Sequence, residues 1–242
     1  MTQPVYAIGD IHGQLGFLET ALDLIAADGG DDAEIVFLGD LVDRGPDARG
    51  VIERLMQGQA AGKNWHVIKG NHDRMFHRFV TEGHEHDDRI LSGIGWLHPR
   101  LGGPATLASY GVDVETDLSL PRLHGEAQRA VPQAHLDYLK HLPLYLERDD
   151  LLFVHAGIAP GVALQDQAED DLIWIRDPFL KNTDSHPWLV VHGHTALDFP
   201  LHFGNRVDLD GGAGYGRPII PAVFEGRDCW LLSKGGRVRL TP

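Results

Sequence analysis

VFLGDLVDRG, residues 36–45, is the stretch whose reading decides this chain. The apolar run 35–38 reads as a buried strand. It stops at Gly39, and Asp40, Asp43 and Arg44 follow before the turn pair Gly45-Pro46. A core strand is poorly served by two acids and an arginine at its end, whereas a site is well served by them. A carboxylate can hold a metal ion, and a guanidinium can grip a phosphate through paired hydrogen bonds. One Gly-Asp pair after one strand is more often a solvated loop, so the flanking sequence has to decide.

Working outward, the same punctuation recurs. Runs at 5–8, 65–68, 151–154, 188–191 and 206–209 read as strands. They end in Gly9-Asp10-Ile11-His12-Gly13, Gly70-Asn71-His72-Asp73, His155-Ala156-Gly157, His192-Gly193-His194-Thr195 and Asp210-Gly211-Gly212. Helices are predicted over 14–27, with Leu15, Leu18, Leu22 and Ile25 on one face, and over 47–57, with Val51, Ile52 and Leu55 inward. Strand, loop and helix in repetition predict a layered α/β fold. Residues 221–224 and 229–232 read as an antiparallel pair turning at Glu225-Gly226, with a last strand at 238–240. Residues 74–148 differ: glycines and histidines are scattered, no strand is obvious, and short helices are expected, most clearly at 134–141. The expected organisation is one domain over 1–242 with a mostly helical, cap-like insertion at roughly 74–148. No internal repeat, linker or low-complexity tract interrupts it.

Composition narrows the function classes. At 242 residues and 43% hydrophobic content the chain can bury a full core. Its formal charge of −14, from 35 acids against 21 bases, argues against general binding to nucleic-acid backbones. Cys229 is the single cysteine, so no intrachain disulfide can form, which fits a reducing compartment. The start MTQPVYAIGD lacks a basic region followed by a long apolar stretch, and no apolar run approaches the length of a membrane span. A cytoplasmic protein with no membrane partner is the expectation.

The strand ends together offer Asp10, His12, Asp40, Asn71, His155 and His194. In layered α/β sheets, ligands gather beyond the carboxyl ends of the strands. One histidine after a strand is usually structural, but five such endings with carboxylate, amide oxygen or imidazole are hard to assign to chance. A zinc site takes three or four protein ligands. Six ligands around one octahedral ion would exclude substrate, so two divalent ions sharing a carboxylate are expected. Hard oxygen donors with imidazole and no thiolate suit manganese, iron or zinc. Paired ions about 3.5–4 Å apart are the usual arrangement for displacement at phosphorus.

GDIHG at 9–13, GDLVDRG at 39–45, GNHD at 70–73, HAG at 155–157 and HGHT at 192–195 resemble, in order, the signature of the phosphoprotein phosphatases. These are dinuclear enzymes of the calcineurin-like metallophosphoesterase superfamily, and the small bacterial and phage protein-serine/threonine phosphatases are the nearest likeness. The resemblance implies an α/β/β/α sandwich, two facing mixed β-sheets flanked by helices. It implies that Asp10, His12 and His194 hold one ion and Asn71 and His155 the other, with Asp40 bridging. It further implies that Arg44 and Arg176, the latter in LIWIRDP at 172–178, bind the substrate phosphate alongside Asn71 and His72. His72 would be the acid and Asp43 its orienter. The activity implied is phosphomonoester hydrolysis on phosphorylated proteins or peptides, and on small phosphate esters. A hydroxide shared by the ions would attack phosphorus in line, with no phosphoenzyme. Two segments depart from the pattern: Asp73 stands where Glu is common, and DLDGGAGYGRP at 208–218 replaces a loop usually reading Asp-Thr-Gly-Ala.

Other readings compete at single residues. His72 follows a ligand directly and is well suited to protonate an alkoxide near neutral pH, but it could instead be a seventh ligand. His192, two residues before His194, is expected on the same face and orienting a ligand. His84, His86, His98 and His186 are expected at the surface, and Trp174 in the core. Arg176 could simply pair with Asp177. At the level of the whole chain, a dinucleoside polyphosphate hydrolase of the diadenosine tetraphosphate type shares most of these motifs. Asp43 counts against it, because related tetraphosphatases tend to have Ala there. A non-catalytic scaffold comes last, since no ligand or arginine is missing.

Overall fold

Strands that lie between two covered faces must be apolar throughout, and β1 (Val5–Ile8) and β5 (Leu151–Val154) are buried at every position. The structure, a computed structural model, describes residues 3–114 and 119–242. Positions 115–118 of the expected insertion lie outside the described residues. The chain continues from β1 through α1 (Leu15–Gly29), β2 (Glu34–Phe37), α2 (Ala48–Ala60), β3 (Trp65–Val67) and α3 (Asn71–Glu82). Three further helices follow, α4 (Gly103–Ser109), α5 (Leu120–Ala130) and α6 (Gln133–Lys140). Then come β4 (Tyr145–Arg148), β5, α7 (Glu169–Trp174), β6 (Leu189–His192), β7 (Leu201–His202), β8 (Arg206–Asp208), β9 (Ala222–Glu225), β10 (Asp228–Ser233) and β11 (Gly236–Leu240).

Two mixed sheets result, ordered β11-β10-β9-β1-β2-β3 and β4-β5-β6-β8-β7. Pairings β1–β2–β3 and β5–β6–β8 are parallel, while β9, β4 and β7 join antiparallel. One apolar layer lies between the sheets: Val5, Ala7, Val36 and Leu38 meet Phe153, Val191 and Val207. The alternate residues Tyr6, Ile8, Ile35 and Phe37 face outward onto α1, α2 and α3 through Leu18, Val51, Ile52 and Phe76. Leu152, Val154 and Val190 face the opposite way, onto α7 and Phe179. This is the α/β/β/α sandwich that the motifs implied. Phe153, fully buried at its centre, makes a suitable gauge: truncation to Ala would cost about 3–5 kcal/mol.

Segment 74–148 contains more regular structure than its composition suggested. α3 begins at Asn71, before the expected insertion, and packs Phe76 and Phe79 on the same core as sheet one. β4 is a strand that the sequence reading missed. It pairs with β5 as an edge strand, and its residues YLER are only partly buried or exposed, so no apolar run betrays it. α7 was likewise unforeseen, and the β9–β10 turn is Gly226-Arg227, one position later than expected. Among the described residues, no helix is long and apolar enough to cross a membrane.

Candidate metal and phosphate site

Five of the six parallel strands deliver the polar residues at their ends to one place. Asp10 and His12 follow β1, Asp40 follows β2, Asn71 opens α3 after β3, His155 follows β5 and His194 follows β6. The loops are pinned to each other by backbone: His12 N donates to Asp40 O at 2.8 Å, and Gly193 N to His155 O at 2.8 Å. Asp73 adds a clamp that its reading as a mere stand-in for Glu did not suggest. Its buried carboxylate accepts from Asp40 N (3.0 Å), Leu41 N (2.9 Å) and Gly70 N (2.8 Å), which fixes the β2 loop against the start of α3.

Five of the six non-glycine residues with positive φ among the described residues are candidate site residues: His12, Asp40, Asp43, Arg44 and His194. Such conformations cost about 1–3 kcal/mol each and persist where the surrounding structure imposes them. Here they turn side chains out of the strand direction and into the cleft.

Donor atoms converge in two groups that meet at Asp40. Asn71 Oδ1 lies 2.9 Å from both His155 Nε2 and His194 Nδ1, and His155 Nε2 is 3.4 Å from Asp40 Oδ1. On the other side, His12 Nε2 is 3.6 Å from Asp40 Oδ2 and 3.8 Å from Asp10 Oδ2. Two ligands bonded to one ion at about 2.1 Å, at right angles, would stand about 3 Å apart, so these separations suit metal ligation. His12 and His155 turn Nδ1 to the carbonyl oxygens of Val42 (2.9 Å) and Leu38 (2.7 Å). Nδ1 as donor leaves each Nε2 with its lone pair toward the carboxylates, as ligands require. His194 Nε2 is buried with no hydrogen-bond partner.

The grouping differs in one respect from what the resemblance implied. His194 lies with Asn71 and His155, not with Asp10 and His12. Only its backbone N–H reaches Asp10 Oδ1, at 3.0 Å. The chain turns at His194, where φ is 65°, and this swings the ring to the opposite side. The same turn separates His194 from His192. The ring of His192 accepts from Arg206 Nη1 at 3.1 Å and packs edge-on against Phe179, with no candidate ligand against its ring nitrogens.

Electrostatically the site calls for cations. Asp10, Asp40, Asp43, Asp73, Asp208 and Asp210 are all buried around it. Burial, then Asp210 and Asp40, pushes Asp10 well above the usual carboxylate range; burial and Asp73 do the same to Asp40. Asp43 and Asp73 are raised to about 7, chiefly by burial. His12, His194 and His155 are driven toward the neutral form, again first by burial, with His155 lowered to about 4. Neutral imidazoles among crowded acids are a donor set that divalent ions complete, because a cation favours both the ionised carboxylate and the neutral ring. The residues present therefore fit a metal site.

Beside this set lie the proton-handling and phosphate-gripping candidates. His72 Nδ1 is 2.6 Å from Asp43 Oδ2, and its ring meets His12 edge-on at 4.8 Å. Asp43 is held by two residues that sequence reasoning missed. Trp96 Nε1 donates to Oδ2 at 2.8 Å and Thr106 Oγ1 to Oδ1 at 2.7 Å, and the same hydroxyl accepts from Asp43 N at 2.8 Å. Arg44 donates to His12 Nε2 (2.6 Å) and to His72 Nε2 (3.2 Å). Arg176 is exposed at the rim, reaching Thr195 Oγ1 (3.3 Å) and His194 O (3.4 Å). Asp177 pairs with Lys181 instead, at 2.8 Å. Trp174 is only partly buried and stands edge-on to His194, 5.8 Å between centroids. His84, His86 and His98 are exposed as expected, but His186 is half-buried and stacked on Phe179.

Comparison with known proteins agrees with this architecture. A bis(5'-nucleosyl)-tetraphosphatase, symmetrical, from Janthinobacterium sp. (strain Marseille) is 30% identical over 158 residues, covering 64% of this chain and 44% of that protein. The bis(5'-nucleosyl)-tetraphosphatase PrpE [asymmetrical] of Oceanobacillus iheyensis is 24% identical over 241 residues, covering 90% of this chain and 87% of the relative. A crystal structure described provisionally as a diadenosine tetraphosphatase superposes with a TM-score of 0.66 at 22% identity, over 100% of this chain and 95% of the other. The sequence model for calcineurin-like phosphoesterases matches residues 3–216, and the chain belongs to that family of metallophosphoesterase hydrolases.

Proposed function

We propose that this chain is a metal-dependent hydrolase of dinucleoside polyphosphates, using two divalent ions, manganese first among the candidates. What carries the reading is the convergence of the donor atoms on Asp40 beside Arg44, taken with two relatives that are both named as bis(5'-nucleosyl)-tetraphosphatases. The symmetrical relative is spanned over less than half its length, so its substrate is carried here as part of the proposal.

In this reading Asp10 and His12 hold one ion and Asn71, His155 and His194 the other, with Asp40 shared. Ions so bound would lower the pKa of water and neutralise charge on phosphoryl oxygens. Arg44 and Arg176 grip the phosphate oxygens from opposite sides of the ligand set and stabilise charge as it builds. His72 is oriented by Asp43, which Trp96 and Thr106 hold. Burial and the neighbouring Arg44 keep its ring neutral here with Nε2 toward Arg44, so it would act as an acid once a bound phosphate engages Arg44 and the ring takes up a proton. Residues 1–242 act as one domain, with the helical segment around 74–148 holding Asp43 from behind.

One observation favours a second reading, phosphomonoester hydrolysis of the protein serine/threonine phosphatase kind. The His72–Asp43 pair, at 2.6 Å, is an acid that a serine or threonine alkoxide needs and a phosphate leaving group does not. A single hydrolysis panel in manganese separates the two. Its members are diadenosine tetraphosphate, phosphoserine, phosphothreonine and phosphotyrosine peptides, and an aryl phosphate. Preference for the dinucleotide supports the main reading; turnover of the peptides without the dinucleotide overturns it.

A further inference from the structure

The loop after β8 departs from the expected Asp-Thr-Gly-Ala pattern, and its conformation is closely specified. Gly212 and Gly216 take φ of 86° and 80°, and Ala213–Tyr215 form a single 3-10 turn closed by Tyr215 N to Gly212 O at 2.9 Å. The base of the loop is tied to the strand β6–β7 connection. Leu197 N donates to Asp210 O at 2.9 Å, and Arg217 reaches Leu197 O (3.3 Å) and Asp198 (2.6 Å). Ala213 is buried, and Gly214 lies flat against the site: a Cβ there would stand 2.6 Å from His12 Cδ2 and 2.8 Å from Arg44 Nη1. The next side chain, Tyr215, therefore emerges at the rim, 67% exposed, with the Arg44 guanidinium over its ring at 5.3 Å.

An aromatic ring on a backbone fixed by this turn, largely open to solvent and one guanidinium away from the metal ligands, is suited to a flat π-system next to a phosphate. In a nucleotide the base and the phosphate chain are separated by one sugar, so phosphates gripped by Arg44 bring their nucleoside to this ring. We propose that Tyr215 is the platform on which a nucleobase of the substrate stacks, a base subsite adjoining the phosphate site. The inference rests on the dinucleotide reading above and specifies where that substrate is recognised. Stacking tolerates any base, so the subsite selects nucleotides over base-free phosphates rather than one base over another.

The test compares diadenosine tetraphosphate with inorganic tripolyphosphate as substrates, and ADP with pyrophosphate as inhibitors, in wild type, Tyr215→Phe, Tyr215→Leu and Tyr215→Ala. The ratio of the dinucleotide KM to the tripolyphosphate KM should rise about 10-fold in Tyr215→Ala, with the ADP inhibition constant weakening in parallel against that of pyrophosphate. Tyr215→Phe should keep the wild-type ratios, and Tyr215→Leu, which keeps bulk but lacks a π-face, should not. Equal losses on base-bearing and base-free ligands would show that Tyr215 only supports Arg44, and would overturn the platform. Wild-type protein that hydrolyses tripolyphosphate but not the dinucleotide would instead sink the substrate reading itself, and the platform with it.

Discussion

Removing the charge of Asp40 should stabilise the metal-free protein and destabilise the metal-loaded one. Asp40 is buried, and in the metal-free chain no full positive charge touches its carboxylate; its nearest ring nitrogens belong to imidazoles that burial keeps neutral. Asp40→Asn preserves shape, and its amide oxygen can still accept from His72 N, now 2.9 Å from Asp40 Oδ1. Relief of an incompletely compensated buried acid is worth about 1–3 kcal/mol, or about 2–10 °C in melting temperature for a chain of this size. The sign depends on pH. Burial and Asp73 raise the folded-state pKa of Asp40 above 3.8. Its penalty is therefore absent below about pH 4, and grows as pH rises toward the folded value. Manganese at about 100 times its dissociation constant should add about 2.7 kcal/mol to wild type, and little to the variant. Thermal unfolding of both proteins, with chelator and with manganese, at pH 4 and pH 7.5, checks this. If the chelated variant melts below chelated wild type at pH 7.5, or manganese raises both equally, the electrostatic account of the site is wrong.

His72→Asn should keep both ions and lose about 10²–10⁴-fold on an alkyl phosphomonoester, but far less on a dinucleotide, whose phosphate leaving group needs no proton; steady-state rates with metal analysis decide, and equal losses or a missing ion would refute the acid. Thr106→Val leaves Asp43 N and Oδ1 without their hydroxyl partner at 2.8 and 2.7 Å, and should cost about 1–3 kcal/mol in urea unfolding; an unmoved midpoint would show that the hydroxyl does not hold Asp43. Single-turnover reaction with labelled substrate should leave no phosphate on the protein, and a trapped phosphohistidine would contradict direct attack by water.

The legible parts of this chain were those encoded by local pattern. Parallel strands covered on both faces are largely apolar, so VYAI, LLFV and the WLVV run at 188–191 announced themselves, and their abrupt polar endings marked the cleft, although β6 itself runs on to include His192. β4 escaped because an edge strand with partly exposed residues carries no apolar run. The side of the cleft taken by His194, and its separation from His192, depend on one left-handed residue that extended geometry does not anticipate. Trp96 and Thr106 stand 53 and 63 positions along the chain from Asp43, and nothing beside them in sequence signals that contact. Asp43 was weighed toward phosphomonoesters because related tetraphosphatases tend to have Ala there, whereas the two relatives this chain resembles are named as bis(5'-nucleosyl)-tetraphosphatases.

Anomalous diffraction at the manganese edge, from crystals grown with manganese, tests the site most directly. Two peaks are expected. One should be bound by Asp10, His12 and Asp40, and the other by Asp40, Asn71, His155 and His194, with the His72 ring on neither. A single peak, or one that takes His72 as a ligand, would contradict the account.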